Sequence, residues 1–139
     1  MNLHPERVVV GRAVTCRWVP RRPDVHDSID RQGEEDDRVG FQNSWVIDEL
    51  ETNDLIVVDL FGKVFNGTFA GDNLATAIKS RSGTGMVIDG GIRDTQRILE
   101  MDEFNAFIRG VDPSAILDVS MVEINGITRI GEATCVPGD

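Results

Sequence analysis

The chain has 139 residues, 14 Lys and Arg against 24 Asp and Glu, and a formal charge of −10. That length suits one domain with a sizeable core, and the acidic balance excludes nucleic-acid binding by clustered cations. No apolar run approaches the roughly 20 residues of a membrane span, and the N-terminus has no secretion-signal pattern, so a cytoplasmic protein without membrane or nucleic-acid partners is expected.

In chain order, the β-branched run Arg7 to Cys16 predicts a central strand. Pro20, Pro23 and the acidic stretch Asp24 to Asp37 predict an exposed excursion. Val46, Ile47 and Leu50 predict a short helix after Gln42-Asn43-Ser44-Trp45, and Leu55 to Leu60 a strand. Gly62 and Gly67 mark a turn. Leu74, Ala77 and Ile78 have helical spacing, with Asp72 or Asn73 as the N-cap. Gly85 to Asp89 reads as a strand, Gly90-Gly91 as a turn, and Asp94 to Leu99 as the opening of another helix. Strand candidates follow at Ala106 to Ile108, Ile116 to Glu123, Ile127 to Gly131 and Ala133 to Val136. Alternating strands and helices give an α/β fold.

Cys16 and Cys135 show no metal-ligand spacing and are expected to be buried free thiols. His4 and His26 are isolated, in expected loops, and not near a fitting Ser or Cys, which argues against a nucleophile-histidine-acid triad. Gly90-Gly91 lacks the rest of a dinucleotide fingerprint.

Two turns at helix N-termini remain as candidate chemistry. At Gly71-Asp72-Asn73-Leu74, free amides suit a carboxylate, although the local pattern alone favours a plain helix cap. At Arg93-Asp94, a guanidinium beside a carboxylate offers a grip on an oxyanion and a ligand for a hard cation. The local alternative is a capping Asp94 with Arg93 paired to it or to Asp89.

The ordered set Gln42-Asn43-Ser44-Trp45, Asp59-Leu60-Phe61-Gly62-Lys63, Gly67-Thr68, Gly71-Asp72-Asn73-Leu74-Ala75 and Gly85-Met86-Val87-Ile88-Asp89-Gly90-Gly91-Ile92-Arg93-Asp94 resembles the RraA-like family. The family includes 4-hydroxy-4-methyl-2-oxoglutarate/4-carboxy-4-hydroxy-2-oxoadipate aldolases and proteins called dimethylmenaquinone methyltransferases. The similarity runs from Val9 to Asp139. Individually the motifs carry moderate weight; in this order they are specific.

The resemblance implies an RraA-like swivelling β/β/α domain over residues 1–139, assembled as a homotrimer or hexamer with sites between subunits. It implies that Asp94 anchors Mg²⁺ or Mn²⁺, largely through water, and that Arg93 holds the pyruvyl oxygen and stabilises an enolate. Gly71, Asp72, Asn73 and Leu74 would bind the substrate carboxylate, with Asp72 positioning or deprotonating a water that acts as base. The implied activity is cleavage of a 4-hydroxy-2-oxo acid to pyruvate, with oxaloacetate decarboxylation as a related reaction. The alternative is a non-catalytic regulator of RNA degradation, a branch that generally lacks the acidic partner of the arginine. Family members continue past Pro137-Gly138-Asp139, so the chain is expected to lack the family's C-terminal segment and its acidic contribution to a neighbouring site.

Overall fold

The computed structural model describes residues 1–139. Strand β1 (Arg12–Pro20) is followed by helices α1 (Pro23–Glu35) and α2 (Gln42–Asp48), then β2 (Asp54–Asp59), β3 (Thr68–Ala70) and α3 (Asp72–Ser82). Next come β4 (Gly85–Ile92), α4 (Thr95–Leu99), β5 (Asn105–Val111), β6 (Val119–Ile124), β7 (Thr128–Ile130) and β8 (Ala133–Cys135).

Strand β4 organises the six-stranded sheet. Parallel β5 lies along one edge; the other edge is shared, with parallel β2 on Met86 to Asp89 and parallel β3 on Gly91 and Ile92. Parallel β1 lies beyond β2, and antiparallel β6 closes that side. Strands β7 and β8 form a separate antiparallel hairpin. Alternate residues of the middle strands enter one core, and Val57, between them on β2, is buried on the opposite face. Ile56, Val58, Met86 and Ile88 pack with Val46, Ile78 and Ile98 from the helices, and Trp18 meets Phe69 edge to face at 6.2 Å.

The structure corrects the sequence reading in several places. The first strand begins at Arg12, and Val8 and Val10 precede it fully in solvent at 89% and 82% exposure. The acidic stretch is helix α1: Pro23 occupies its first turn, and Val25, Ile29 and Gly33 recur along its inner side while the charges face out. A Cβ on Gly33 would overlap the Trp45 ring, so glycine lets α1 approach α2 closely.

Gly90 and Gly91 lie within β4 and do not form a turn. A Cβ on Gly90 would stand 2.6 Å from the Leu60 Cβ, and one on Gly91 3.0 Å from the Val64 carbonyl oxygen. The pair therefore makes room for the 61–67 loop, which does turn at Phe61, Gly62 and Asn66, all with positive φ. Strand β3, read only as part of that loop, is too short to show a period of its own.

Candidate functional site at the ends of β3 and β4

Paired parallel strands β3 and β4 end side by side, Ala70 opposite Ile92, and the two predicted turns follow them directly. The Arg93 N–H donates to the Ala70 carbonyl at 3.0 Å, tying the turns together. The site thus lies at the carboxyl ends of parallel strands, where open α/β sheets hold ligands.

Gly71 is the N-cap of α3 in extended conformation, and no side chain caps this helix. Asp72, predicted with Asn73 as a possible cap, is instead its first residue, and its Oδ1 accepts from the Asn73 N–H at 2.9 Å. The Asp72 and Leu74 N–H groups donate to no protein acceptor, leaving two donors at the end of an 11-residue helix.

Asp94 occupies the N-cap position of α4 but does not cap it; its backbone is left-handed, with φ 56° and ψ 35°. Its Oδ2 lies 3.4 Å from the Arg93 Nε. Both side chains are about half-exposed, and the Arg93 Nη1 reaches the Thr68 hydroxyl at 3.5 Å. The local alternative of a capping aspartate therefore fails on geometry. Pairing of Arg93 with Asp89 is also ruled out, because buried Asp89 is held by Arg109 and by the Gly131 N–H at 3.1 Å.

Gly71 joins the two turns: a Cβ there would overlap Asp94 Oδ2 and lie 3.1 Å from the Arg93 Nε. One residue was missed from the sequence. Arg97 on α4 donates through Nη1 to Asp72 Oδ2 at 2.9 Å. Its position three residues after Asp94 was the available signal, since one turn of helix brings such residues to the same side.

The donor set at the two turns limits which divalent cation it could hold. Asp94 supplies hard carboxylate oxygens, and nowhere do three His, Cys, Asp or Glu side chains gather. A single carboxylate suits Mg²⁺ or Mn²⁺ that retains most of its waters, and does not suit a closed zinc site.

Other candidates resolve differently. His26 sits on α1, not in a loop, with Nδ1 2.8 Å from the Ser120 hydroxyl and Nε2 3.4 Å from Asp30. This Ser-His-Asp line is a structural tie between α1 and β6, because Ser120 is fully buried and out of reach of a substrate. The adjoining cleft of about 430 Å³, between α1, α2 and the 116–119 segment, contains none of the residues of the two turns. Cys16 is buried as expected, whereas Cys135 is partly exposed on the β7-β8 hairpin, outside the six-stranded sheet. No helix is long and apolar enough to cross a membrane.

The RraA-like family model, Aldolase/RraA, matches residues 1–139. The chain belongs to the RraA-like family. Among solved structures it is similar to Streptomyces coelicolor RraAS2, described as an unusual member of the RNase ES inhibitor RraA family. The TM-score is 0.73 at 26% identity over 94% of this chain. RraA from Thermus thermophilis, described as an RNA-processing inhibitor, gives a TM-score of 0.70 at 18% identity, covering 99% of this chain and 72% of that one. A Geobacillus kaustophilus protein described as an S-adenosylmethionine:2-dimethylmenaquinone methyltransferase gives 0.69 at 20% identity, covering 99% and 73%. The last two likenesses show the fold alone, and they bear out the expected α/β RraA-like architecture. The chain spans 58% of the length of RraAS2. The RraA-like family joins lyases with inhibitors of RNA processing, so membership by itself assigns neither activity.

Proposed function

We propose that this RraA-like protein is a divalent-metal-dependent lyase that cleaves a 4-hydroxy-2-oxo acid to pyruvate, with oxaloacetate decarboxylation through the same enolate. The observation that carries this reading is the seating of Arg93 and Asp94 against Gly71, which places a guanidinium and a carboxylate beside the start of α3, where the Asp72 and Leu74 amides have no protein acceptor.

In this reading the amides of Asp72 and Leu74 bind the substrate carboxylate, and Arg93 donates to the 2-oxo oxygen. Asp72 takes the proton of the C4 hydroxyl through a water that it holds. The C4 oxygen then becomes the carbonyl of the second oxo product as the C3–C4 bond breaks; the bond's electron pair passes into the pyruvyl unit, and the negative charge collects on the oxygen facing Arg93. Return of a proton to C3 completes pyruvate. Asp94 would hold Mg²⁺ or Mn²⁺, which when bound would supply Lewis-acid stabilisation of the developing enolate charge.

Pyruvate release measured with added Mg²⁺ or Mn²⁺ tests the reading. Asp94→Asn, which keeps the shape and tolerates the left-handed backbone, should lower turnover by about a hundredfold or more. Equal turnover in wild type and variant, or none in the wild type, would sink the proposal.

The proposed assembly is a homotrimer or hexamer in the cytoplasm, a setting in which two free thiols are expected. Light scattering checks the assembly. The likeness to RraAS2 at 26% identity favours a second reading, regulation of RNA degradation through protein binding. A pull-down against purified ribonuclease decides it, since the absence of complex would remove its support.

A further inference from the structure

We infer that Arg97 is a positioning residue that fixes the Asp72 carboxylate for its proton-transfer role; this rests on the lyase reading above. Asp72 begins α3 with its side chain largely enclosed, 19% exposed. Its two oxygens are held by different elements: Oδ1 takes the Asn73 N–H at 2.9 Å, and Oδ2 takes the Arg97 Nη1 at 2.9 Å from across the turn.

One anchor alone leaves the carboxylate free to swing about its Cβ–Cγ bond. Two anchors fix its plane and direct its remaining lone pairs to one place. A water held there has a defined direction toward the substrate, which is what general-base geometry requires.

Arg97 has little other reason to be where it is. Its side chain is 76% exposed and Asp72 is its one polar partner. An exposed ion pair of this kind adds little to folding stability. Its location gives it a different use: α4 presents Asp94 at its start and Arg97 one turn later, so one short helix aligns the proposed metal ligand and the proposed base. A ligand-driven shift of α4 would move both groups together.

The test compares Arg97→Gln and Arg97→Lys in the full chain. Arg97→Gln should lower kcat for pyruvate release by about tenfold with KM changed less than about twofold, because orientation and not binding is lost. Arg97→Lys should recover most of kcat. Adding Arg97→Gln to Asp72→Asn should cost nothing further, the non-additivity of residues acting as a unit. A second readout needs no turnover: the Asn73 amide resonance in a ¹⁵N spectrum should move in Arg97→Gln and return toward wild type in Arg97→Lys. Unchanged kcat in Arg97→Gln, fully additive losses, or an unmoved Asn73 amide would each overturn the inference. A wild type that releases no pyruvate, with an Asn73 amide that still moves, would overturn the lyase reading and the catalytic role of Arg97 while leaving the brace itself intact.

Discussion

Gly71 and Asp94 are in contact only because Gly71 has no side chain: a methyl group there would occupy the volume of Asp94 Oδ2. The obstructed atom is the end of a half-exposed side chain, which can swing away, so Gly71→Ala should lower stability by at most about 1 kcal/mol. It should still displace Asp94 and crowd Arg93. The expected outcome is a melting temperature close to wild type and a loss of metal-dependent pyruvate release of about tenfold or more. A thermal melt and a kinetic assay on one preparation separate the two effects.

Arg109→Ala should be the more damaging change to the fold. It strips the guanidinium from Asp89, which is 4% exposed, and leaves a buried carboxylate with the Gly131 N–H as its remaining donor. Since Arg109 is itself half-exposed, water offsets part of the loss, and a clear but partial destabilisation is expected. Urea unfolding should show a lower midpoint with an unchanged slope.

The site was legible in the sequence where chemistry and spacing coincide, and obscure where it depends on approach between segments. Gly71-Asp72-Asn73-Leu74 and Arg93-Asp94 each announce a helix start after a strand, and both starts are observed. Their adjacency requires β3 beside β4, and three residues of β3 give no periodic signal. Gly90 and Gly91 mislead for a related reason: a glycine that admits a neighbouring loop is written in the same letter as a glycine that turns the chain. Helix α1 was hidden by its charges, which dominate composition although its inner residues keep helical spacing. The arginines on Asp59 and Asp89 come from 70 and 20 residues away, beyond any local pattern.

The two cysteines should react at different rates. Burial pushes the Cys16 thiol far above its ordinary range, and Trp18 Nε1 donates to its sulfur at 3.0 Å, whereas Cys135 is partly exposed and raised less. Native protein at pH 8 should take up one equivalent of a thiol reagent, at Cys135, and a second only on unfolding. For Cys16 the folded pKa is raised above the unfolded one, so its stabilising contribution is complete below the ordinary thiol range and is lost as pH rises through and above it. Cys16→Ala should therefore flatten the alkaline limb of the stability profile. Mass spectrometry of labelled peptides and melts between pH 7 and about 10 give both results.

Acid should loosen the segment after β5. The Ser114 hydroxyl and amide hold the Asp112 carboxyl below its usual value, and Ser114 in turn accepts from Asn66 and from Thr68. A depressed folded pKa means that the contribution is present above the ordinary carboxylate range and is lost as pH falls through it toward the lowered value. Protection of the Asn66 amide, measured against its intrinsic exchange rate at each pH, should fall over that window in the wild type. In Asp112→Asn it should be lower at neutral pH and change less with acid.

Asp59, the last residue of β2, stands opposite Asp89 within β4, both buried, with Arg129 and Arg109 as their cations. Each aspartate therefore depends for its counter-charge on a residue of a different strand. Loss of one arginine strands a charge, whereas loss of both members of a pair removes charge and counter-charge together. Among descendants of this sequence, positions 59 and 129, and likewise 89 and 109, are expected to change jointly, so a variant library built one substitution at a time would miss the tolerated combinations.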